Sequence, residues 1–461
     1  MRTAVLAAGL EASARSTALL IVTFRWYARA ADRGPVPRSS CARSRPARPR
    51  GGRSIATVDR PRPGALRRAG YRSFEYLEAG LDYRPFELST DGDRVEPYVV
   101  EVSSAEEERA RRLLRDHVAI SLHDHTEIDP LDPAETDAWI RETRIATGYA
   151  GLARSGLTAV FENYADGVAT ITSKSGWKWT DVIHDLGLRY SDWAHQDFVV
   201  RAERIADIEA AKASGRLAMI SALEAATPIE NELDRIDVLY GFGVRMMGIA
   251  YSEGNSLGAG CRETTDGGLT HFGRRAIDRM NKLGLLIDVS HCGDRTSLET
   301  IEASRVPVCI SHSGSRVLWP ISKCKPDDVI RACAERGGII GIEAAPGTTM
   351  VTDDLVEHSI ETFMRHFEYC VDLVGIDHVT FGPDTFFGDH AASYAIPGGS
   401  LLVSGDSEYD RIVPEYVKGL ENIGDFPNIV RWLVGHGYSD DDIAKAIGGN
   451  TLRVLAETWA A

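Results

Sequence analysis

Short runs of consecutive apolar residues alternate along most of the chain with longer stretches whose apolar residues recur every three or four positions. The runs at 118–122, 217–221, 244–249, 284–289, 306–310, 338–342 and 378–381 read as buried strands. Between them, 272–283, 294–303, 326–336 and 359–374 each set an apolar stripe against a charged face, as an amphipathic helix does. Strand followed by helix, repeated, predicts a parallel sheet with helices outside it. Seven or eight such units with no GxGxxG turn favour a closed barrel over a doubly wound sheet. The expected fold class is α/β, a TIM-like (β/α)8 barrel.

The beginning of the chain lacks this pattern. Residues 33–53, rich in Arg, Pro, Ser and Gly, cannot bury enough apolar area to offset their ordering entropy. Residues 1–72 are therefore expected to form a basic, largely disordered extension, and 73–461 a single barrel domain without an internal linker or short repeat. The apolar run 18–22, with Arg2 upstream and Ala28-Arg29-Ala30 behind it, allows a signal peptide. Glu11 and Arg15 before the run, and Arg25 and Arg29 after it, suit a loose basic tail or an extension upstream of the real start.

Charge sharpens the division. Residues 1–72 hold 16 Lys+Arg against 3 Asp+Glu, whereas the whole chain holds 52 against 67. The rest of the chain is therefore strongly acidic and would repel phosphates, so nucleic acid is not an expected partner. Seven scattered cysteines with no CxxC pair argue against a disulfide framework and for a reducing compartment. The expected location is the cytoplasm, with export as the alternative if 18–22 belongs to a signal. No run of 18 apolar residues suggests a transmembrane segment.

Chemistry enters where polar residues end the apolar strands. In a barrel those ends converge on one mouth, so residues distant in sequence meet there. His123 and His125 follow 118–120 at a spacing of two, which on a strand points both side chains to one face. Glu224 ends the strand at 217–221 with no cation beside it in sequence; alone, it reads equally well as a carboxylate at a helix start. His291 and His312 each close a hydrophobic strand as Ser-His, one helix and one strand apart, which places them on adjacent strands. Asp384 follows Gly382-Pro383 after the last strand, where an isolated Asp would ordinarily be a turn residue. Neutral imidazoles with carboxylates suit Zn²⁺ or a similar divalent ion, a carboxylate can bridge two such ions, and a further carboxylate serves as general base and acid. The barrel is then of the metal-dependent hydrolase type.

The residues from about His123 to Phe387 resemble the membrane (renal) dipeptidase family of zinc peptidases, in particular its bacterial members. The resemblance lies in Ser121-Leu122-His123-Asp124-His125, Leu223-Glu224, the segment 251–261 beginning Tyr-Ser-Glu-Gly-Asn, Gly268-Leu269-Thr270-His271, Asp288-Val289-Ser290-His291, Ser311-His312-Ser313 and the segment 374–384 ending Phe-Gly-Pro-Asp. It implies a barrel holding two Zn²⁺ that hydrolyses dipeptides. His123 and His125 would bind one ion, His291 and His312 the other, and Glu224 both. Asp384 would meet the first ion and handle the proton of the attacking water. The tetrahedral oxyanion would be stabilised by metal and a neighbouring side chain.

Three positions depart from the family pattern. His125 stands where better-known members have Asp, making the first site more positive by one charge. Tyr251 stands at the place of a substrate-contacting histidine and can donate to an oxyanion. The arginine expected before Pro326 is absent; Lys323 is its candidate replacement, without the bidentate fork, and Arg316 is a second candidate for the substrate carboxylate. The catalytic set is thus Asp384, Glu224 and Tyr251, and the expected partner is a dipeptide or another small amide, lactam or modified amino acid, with a homodimer as the candidate assembly. A non-catalytic scaffold is the reading from a different class, motivated by the basic tail on an acidic body. Cys292 reads as inert packing, 254–260 lacks the ending of a phosphate loop, and His366 and Tyr369 read as surface or packing residues rather than ligands.

Overall fold

The computed structural model describes residues 70–459 except 143, 165–177, 354–356, 395–408 and 410–411, so residues 1–69 of the expected basic extension lie outside the described residues. The strands are β1 (Ile120–Asp124), β2 (Ala159–Tyr164), β3 (Val199–Arg201), β4 (Leu217–Leu223), β5 (Val244–Gly248), β6 (Leu286–Asp288), β7 (Cys309–Ser313), β8 (Ile339–Ile342) and β9 (Val379–Phe381). All pairings are parallel, in the order β1-β2-β4-β5-β6-β7-β8-β9, with β3 added beside β4. Eight strands thus form the nearly closed barrel that the alternation predicts.

The ring closes at its mouth through the loops rather than through a strand pairing. The amide of Asp384 donates to the His123 carbonyl at 3.0 Å, and that of His125 to the Thr385 carbonyl at 3.0 Å. Gly382 makes this closure possible: a Cβ there would lie 2.1 Å from the Ser311 carbonyl oxygen and 3.2 Å from the His123 Cβ. Every residue of the eight barrel strands is buried, which is why seven of them read as continuous apolar runs and not as alternating ones.

The helices form where the apolar stripes predict them. His271–Leu283 is capped by the Thr270 hydroxyl, which accepts from the Gly273 amide, and ends at Gly284 with φ +79°. Asp294–Ala303, Asp327–Glu335 and Ile360–Val374 lie within one residue of their expected limits. Strand β2 has no counterpart among the sequence-derived runs, because Glu162 and Asn163 interrupt its apolar stretch. Burial of Glu162 is offset by Arg189, which also binds Glu127 at 2.7 Å and Asp185 at 3.1 Å.

Among the described residues no helix is long and apolar enough to cross a membrane. The six described cysteines are free thiols. Cys292 is buried, which pushes its thiol up to about 12 and leaves no thiolate for nucleophilic attack.

Candidate metal centre

The polar residues at the strand ends meet at the mouth of the barrel. His123 lies within β1 and His125 just beyond it; Glu224 follows β4, His291 follows β6, His312 lies within β7 and Asp384 follows β9. His123 Nε2 and His125 Nε2 are each 3.0 Å from Glu224 Oε1, and 3.3 Å and 3.2 Å from Asp384 Oδ1. The other Glu224 oxygen, Oε2, faces the second half of the centre, 3.8 Å from His291 Nε2. His291 Nε2 in turn lies 3.0 Å from His312 Nε2. Glu224 therefore turns one oxygen toward each histidine pair. Its own position depends on Gly248 at the end of β5, where a Cβ would lie 1.7 Å from the Glu224 carbonyl oxygen.

Electrostatics divides the centre in the same way. Burial opposes charge on His123, but hydrogen bonds to Asp384 and Glu224 outweigh it and raise the imidazole to about 9. His125 is raised against burial by the same two carboxylates. Glu224 and Asp384 are held below the usual carboxylate range, because their bonds to His123 and His125 overcome burial. His291 and His312 go the other way. Burial holds both neutral, with the Lys323 charge reinforcing the effect on His291 and the His123 and Lys323 charges on His312. Two anionic carboxylates and two neutral imidazoles thus surround a space where the remaining imidazoles supply the positive charge themselves. This donor set fits divalent metal ions, with His123, His125, Glu224 and Asp384 as one group and Glu224, His291 and His312 as another.

A surrounding layer orients these side chains. His125 donates from Nδ1 to the Asn163 carbonyl at 2.7 Å. Asp288, at the end of β6, receives the Ser311 hydroxyl at 2.6 Å, and Ser311 Oγ lies 2.8 Å from His312 Nδ1. Glu343, just after β8, groups with His312 and Asp384 and binds Lys323 Nζ at 2.8 Å. Neither Asp288 nor Glu343 stands among the sequence-derived site residues, although Glu343 carries the same signal as Glu224: a carboxylate that ends a buried apolar strand.

The expected substrate contacts are placed differently from one another. The Tyr251 ring stacks on His291 with centroids 4.0 Å apart, and burial followed by the Glu224 charge raises its hydroxyl. Lys323 is buried and also donates to the His312 carbonyl at 3.0 Å. Arg316 reaches Asp294 with both guanidinium nitrogens, at 2.6 Å and 2.9 Å, and donates to the Cys324 carbonyl at 2.8 Å. Both cations proposed for a substrate carboxylate thus already hold a carboxylate of the chain. His366, by contrast, is buried packing: it accepts from the Ser315 amide at 2.9 Å, away from the centre.

The family model described as membrane dipeptidase, Peptidase family M19, matches residues 107–393 and 399–461. The chain is 27% identical over 265 residues to dipeptidase aclJ of Aspergillus oryzae, covering 57% of each protein. It is 25% identical over 301 residues to dipeptidase tcpJ of Claviceps purpurea, covering 64% of this chain and 62% of that one. It therefore spans less than two thirds of the length of these curated relatives. A crystal structure of an amidohydrolase from Pseudomonas aeruginosa superposes with a TM-score of 0.62 at 24% identity, over 76% of this chain and 99% of that one, which establishes the shared fold.

Proposed function

The chain belongs to the membrane dipeptidase family, Peptidase family M19, and on that premise we propose that it is a zinc-dependent dipeptidase with two divalent ions at the barrel mouth. The observation that carries this reading is the division of Glu224, with Oε1 on His123 and His125 and Oε2 toward His291. One carboxylate shared by two imidazole pairs is the arrangement expected of a bridge between ions.

The ions, when bound, supply Lewis acidity and lower the pKa of water enough for attack at neutral pH. The chain's own residues do the rest. His123, His125, His291 and His312 present ring nitrogens to the centre, and Glu224 holds the two halves in register. Asp384, an anion facing the same space, accepts the proton of the attacking water and returns it to the leaving amine. Tyr251, buried and kept protonated, donates from its hydroxyl to the oxygen of the tetrahedral intermediate. Mouth burial around these groups keeps bulk water from competing for the same contacts.

A second reading concerns the substrate. Lys323 and Arg316 are both engaged by Glu343 and Asp294, which favours a substrate lacking a free carboxylate at that place, such as another small amide or lactam. The test of both readings is hydrolysis of L-L and L-D dipeptides by purified protein, with added Zn²⁺ and with chelator. Metal-dependent cleavage supports the dipeptidase; a folded protein loaded with two ions that cleaves no dipeptide supports the amide reading. A protein that takes up no transition metal, and is not activated by it, removes both. A homodimer and a cytoplasmic location remain part of the proposal, to be read from sedimentation and cell fractionation.

A further inference from the structure

We infer that Ser311, held by Asp288, is a positioning residue whose single hydroxyl sets the proton location on one imidazole in each half of the centre. The inference rests on the two-ion reading above and extends it to residues that ligate neither ion.

Donors and acceptors around Ser311 decide where its proton lies. Ser311 Oγ has one proton and lies 2.6 Å from Asp288 Oδ2, a carboxylate oxygen that can only accept. The other oxygen, Asp288 Oδ1, is filled by the Ser290 amide at 3.0 Å, the Ser290 hydroxyl at 2.6 Å and the Ser311 amide at 2.9 Å. The Ser290 hydroxyl also lies 3.1 Å from Ser311 Oγ, but its oxygen already accepts the His312 amide at 3.1 Å, and the Asp288 carboxylate is the closer and charged acceptor. The Ser311 proton therefore goes to Asp288, and its oxygen faces His312 Nδ1 at 2.8 Å and His123 Nδ1 at 3.4 Å as an acceptor. Both rings must then carry hydrogen on Nδ1. Each ring thus meets the centre through Nε2: that of His312 faces His291 with its lone pair, and that of His123 donates to the Glu224 carboxylate in the metal-free protein. An ion there would take the place of that proton while the hydrogen on Nδ1 stays with Ser311.

The geometry separates these two imidazoles from their partners. His125 is oriented by the Asn163 carbonyl at 2.7 Å and His291 lies 3.5 Å from the Ser252 hydroxyl. Ser311 thus serves one ligand from the His123–His125 pair and one from the His291–His312 pair. Asp288 and Ser290 are each 1% exposed and Ser311 is fully buried, so solvent offers no substitute for a missing partner. His123, Asp288 and His312 also converge closely enough to be read as a separate metal group, but the Ser311 hydroxyl stands among their three facing atoms.

The test uses full-length protein depleted of metal, with wild type, Ser311→Ala, Asp288→Asn and Ser290→Ala compared. Titration with Zn²⁺ against a competing chelator gives the affinity of each site, and ¹⁵N-histidine NMR of the metal-free protein gives the ring tautomers. Ser311→Ala is expected to weaken both sites by about ten- to a hundredfold. In Asp288→Asn the side-chain amide donates to Ser311, whose own proton turns to an imidazole, so His312 is expected to shift from the Nδ1–H to the Nε2–H form. Ser290→Ala removes a hydroxyl from the same network without touching a ring nitrogen and is expected to leave the tautomers unchanged. Loss at only one site or neither in Ser311→Ala, an unchanged tautomer in Asp288→Asn, or an equal effect of Ser290→Ala overturns the inference. A wild type that binds fewer than two ions overturns the two-ion reading instead, and the tautomers of the metal-free protein still decide the role of Ser311.

Discussion

His123 and Asp384 are joined twice: the Asp384 amide donates to the His123 carbonyl at 3.0 Å, and Asp384 Oδ1 lies 3.3 Å from His123 Nε2. The first bond helps close the barrel between β9 and β1, and the second places a carboxylate in the centre. Asp384 adopts φ +58°, a left-handed conformation that Asn and Asp tolerate better than other side chains. Asp384→Asn is therefore expected to keep the fold, with a melting temperature within a few degrees of wild type, while turnover falls by at least about a hundredfold. Parallel calorimetry and dipeptide kinetics check it, and near-normal turnover would exclude Asp384 as the proton carrier.

Glu224→Gln replaces one of two equivalent oxygens with a donor, so one half of the centre meets an N–H where it needs an acceptor. Metal content by mass spectrometry is expected to fall from two ions to one or none, with turnover reduced at least about a hundredfold. Two tightly held ions in this variant would mean that Glu224 does not bridge.

His125→Asp recreates the His-x-Asp order of the better-known family members, yet it is not expected to be neutral here. The His125 ring donates to the Asn163 carbonyl at 2.7 Å, and a carboxylate has no proton to offer it. First-site affinity is expected to drop by about tenfold or more, read by chelator competition; equal or tighter binding would show that the Asn163 contact is dispensable.

Lys323 and Glu343 form a buried ion pair at 2.8 Å, and removing one partner leaves an uncompensated charge. Lys323→Met is expected to destabilise the protein by about 3 kcal/mol in urea unfolding. Burial already pushes the Glu343 carboxyl up, so the loss should shrink as the pH falls and Glu343 takes a proton. The double variant Lys323→Met/Glu343→Gln should recover most of the stability. A Lys323→Met protein of normal stability but raised KM would assign Lys323 to the substrate instead.

Two histidines away from the centre predict acid lability. Burial lowers His358 to about 3 and His366 to about 4, against about 6.5 in the unfolded chain. Each accepts a backbone N–H on Nδ1, from Gly347 and Ser315, so neither can be protonated without losing that bond. A folded pKa below the unfolded one means that the unfolded state binds more protons, so stability is full above about 6.5 and falls as the pH drops toward 4. The expected slope near pH 5 is about 2–3 kcal/mol per pH unit from the pair. Replacing both with Gln should flatten it in denaturant titrations from pH 4 to 7.

The sequence alone determined the barrel class and most of the helix limits, because strands buried on both faces must be continuously apolar and surface helices must carry a stripe. It also determined where to look for chemistry: His123, Glu224, His291, His312 and Asp384 each end or follow such a strand, and parallel topology brings strand ends together. Only the tertiary structure decided which oxygen of Glu224 faces which imidazole pair, since a carboxylate's two atoms are indistinguishable in sequence. It alone showed that Lys323 and Arg316 are held by Glu343 and Asp294, partners 20 and 22 residues away. Strand β2 and the Asp288–Ser311 contact were hidden for the same reason: a buried polar group is tolerated only by its partner, and that partner lies in another strand or helix.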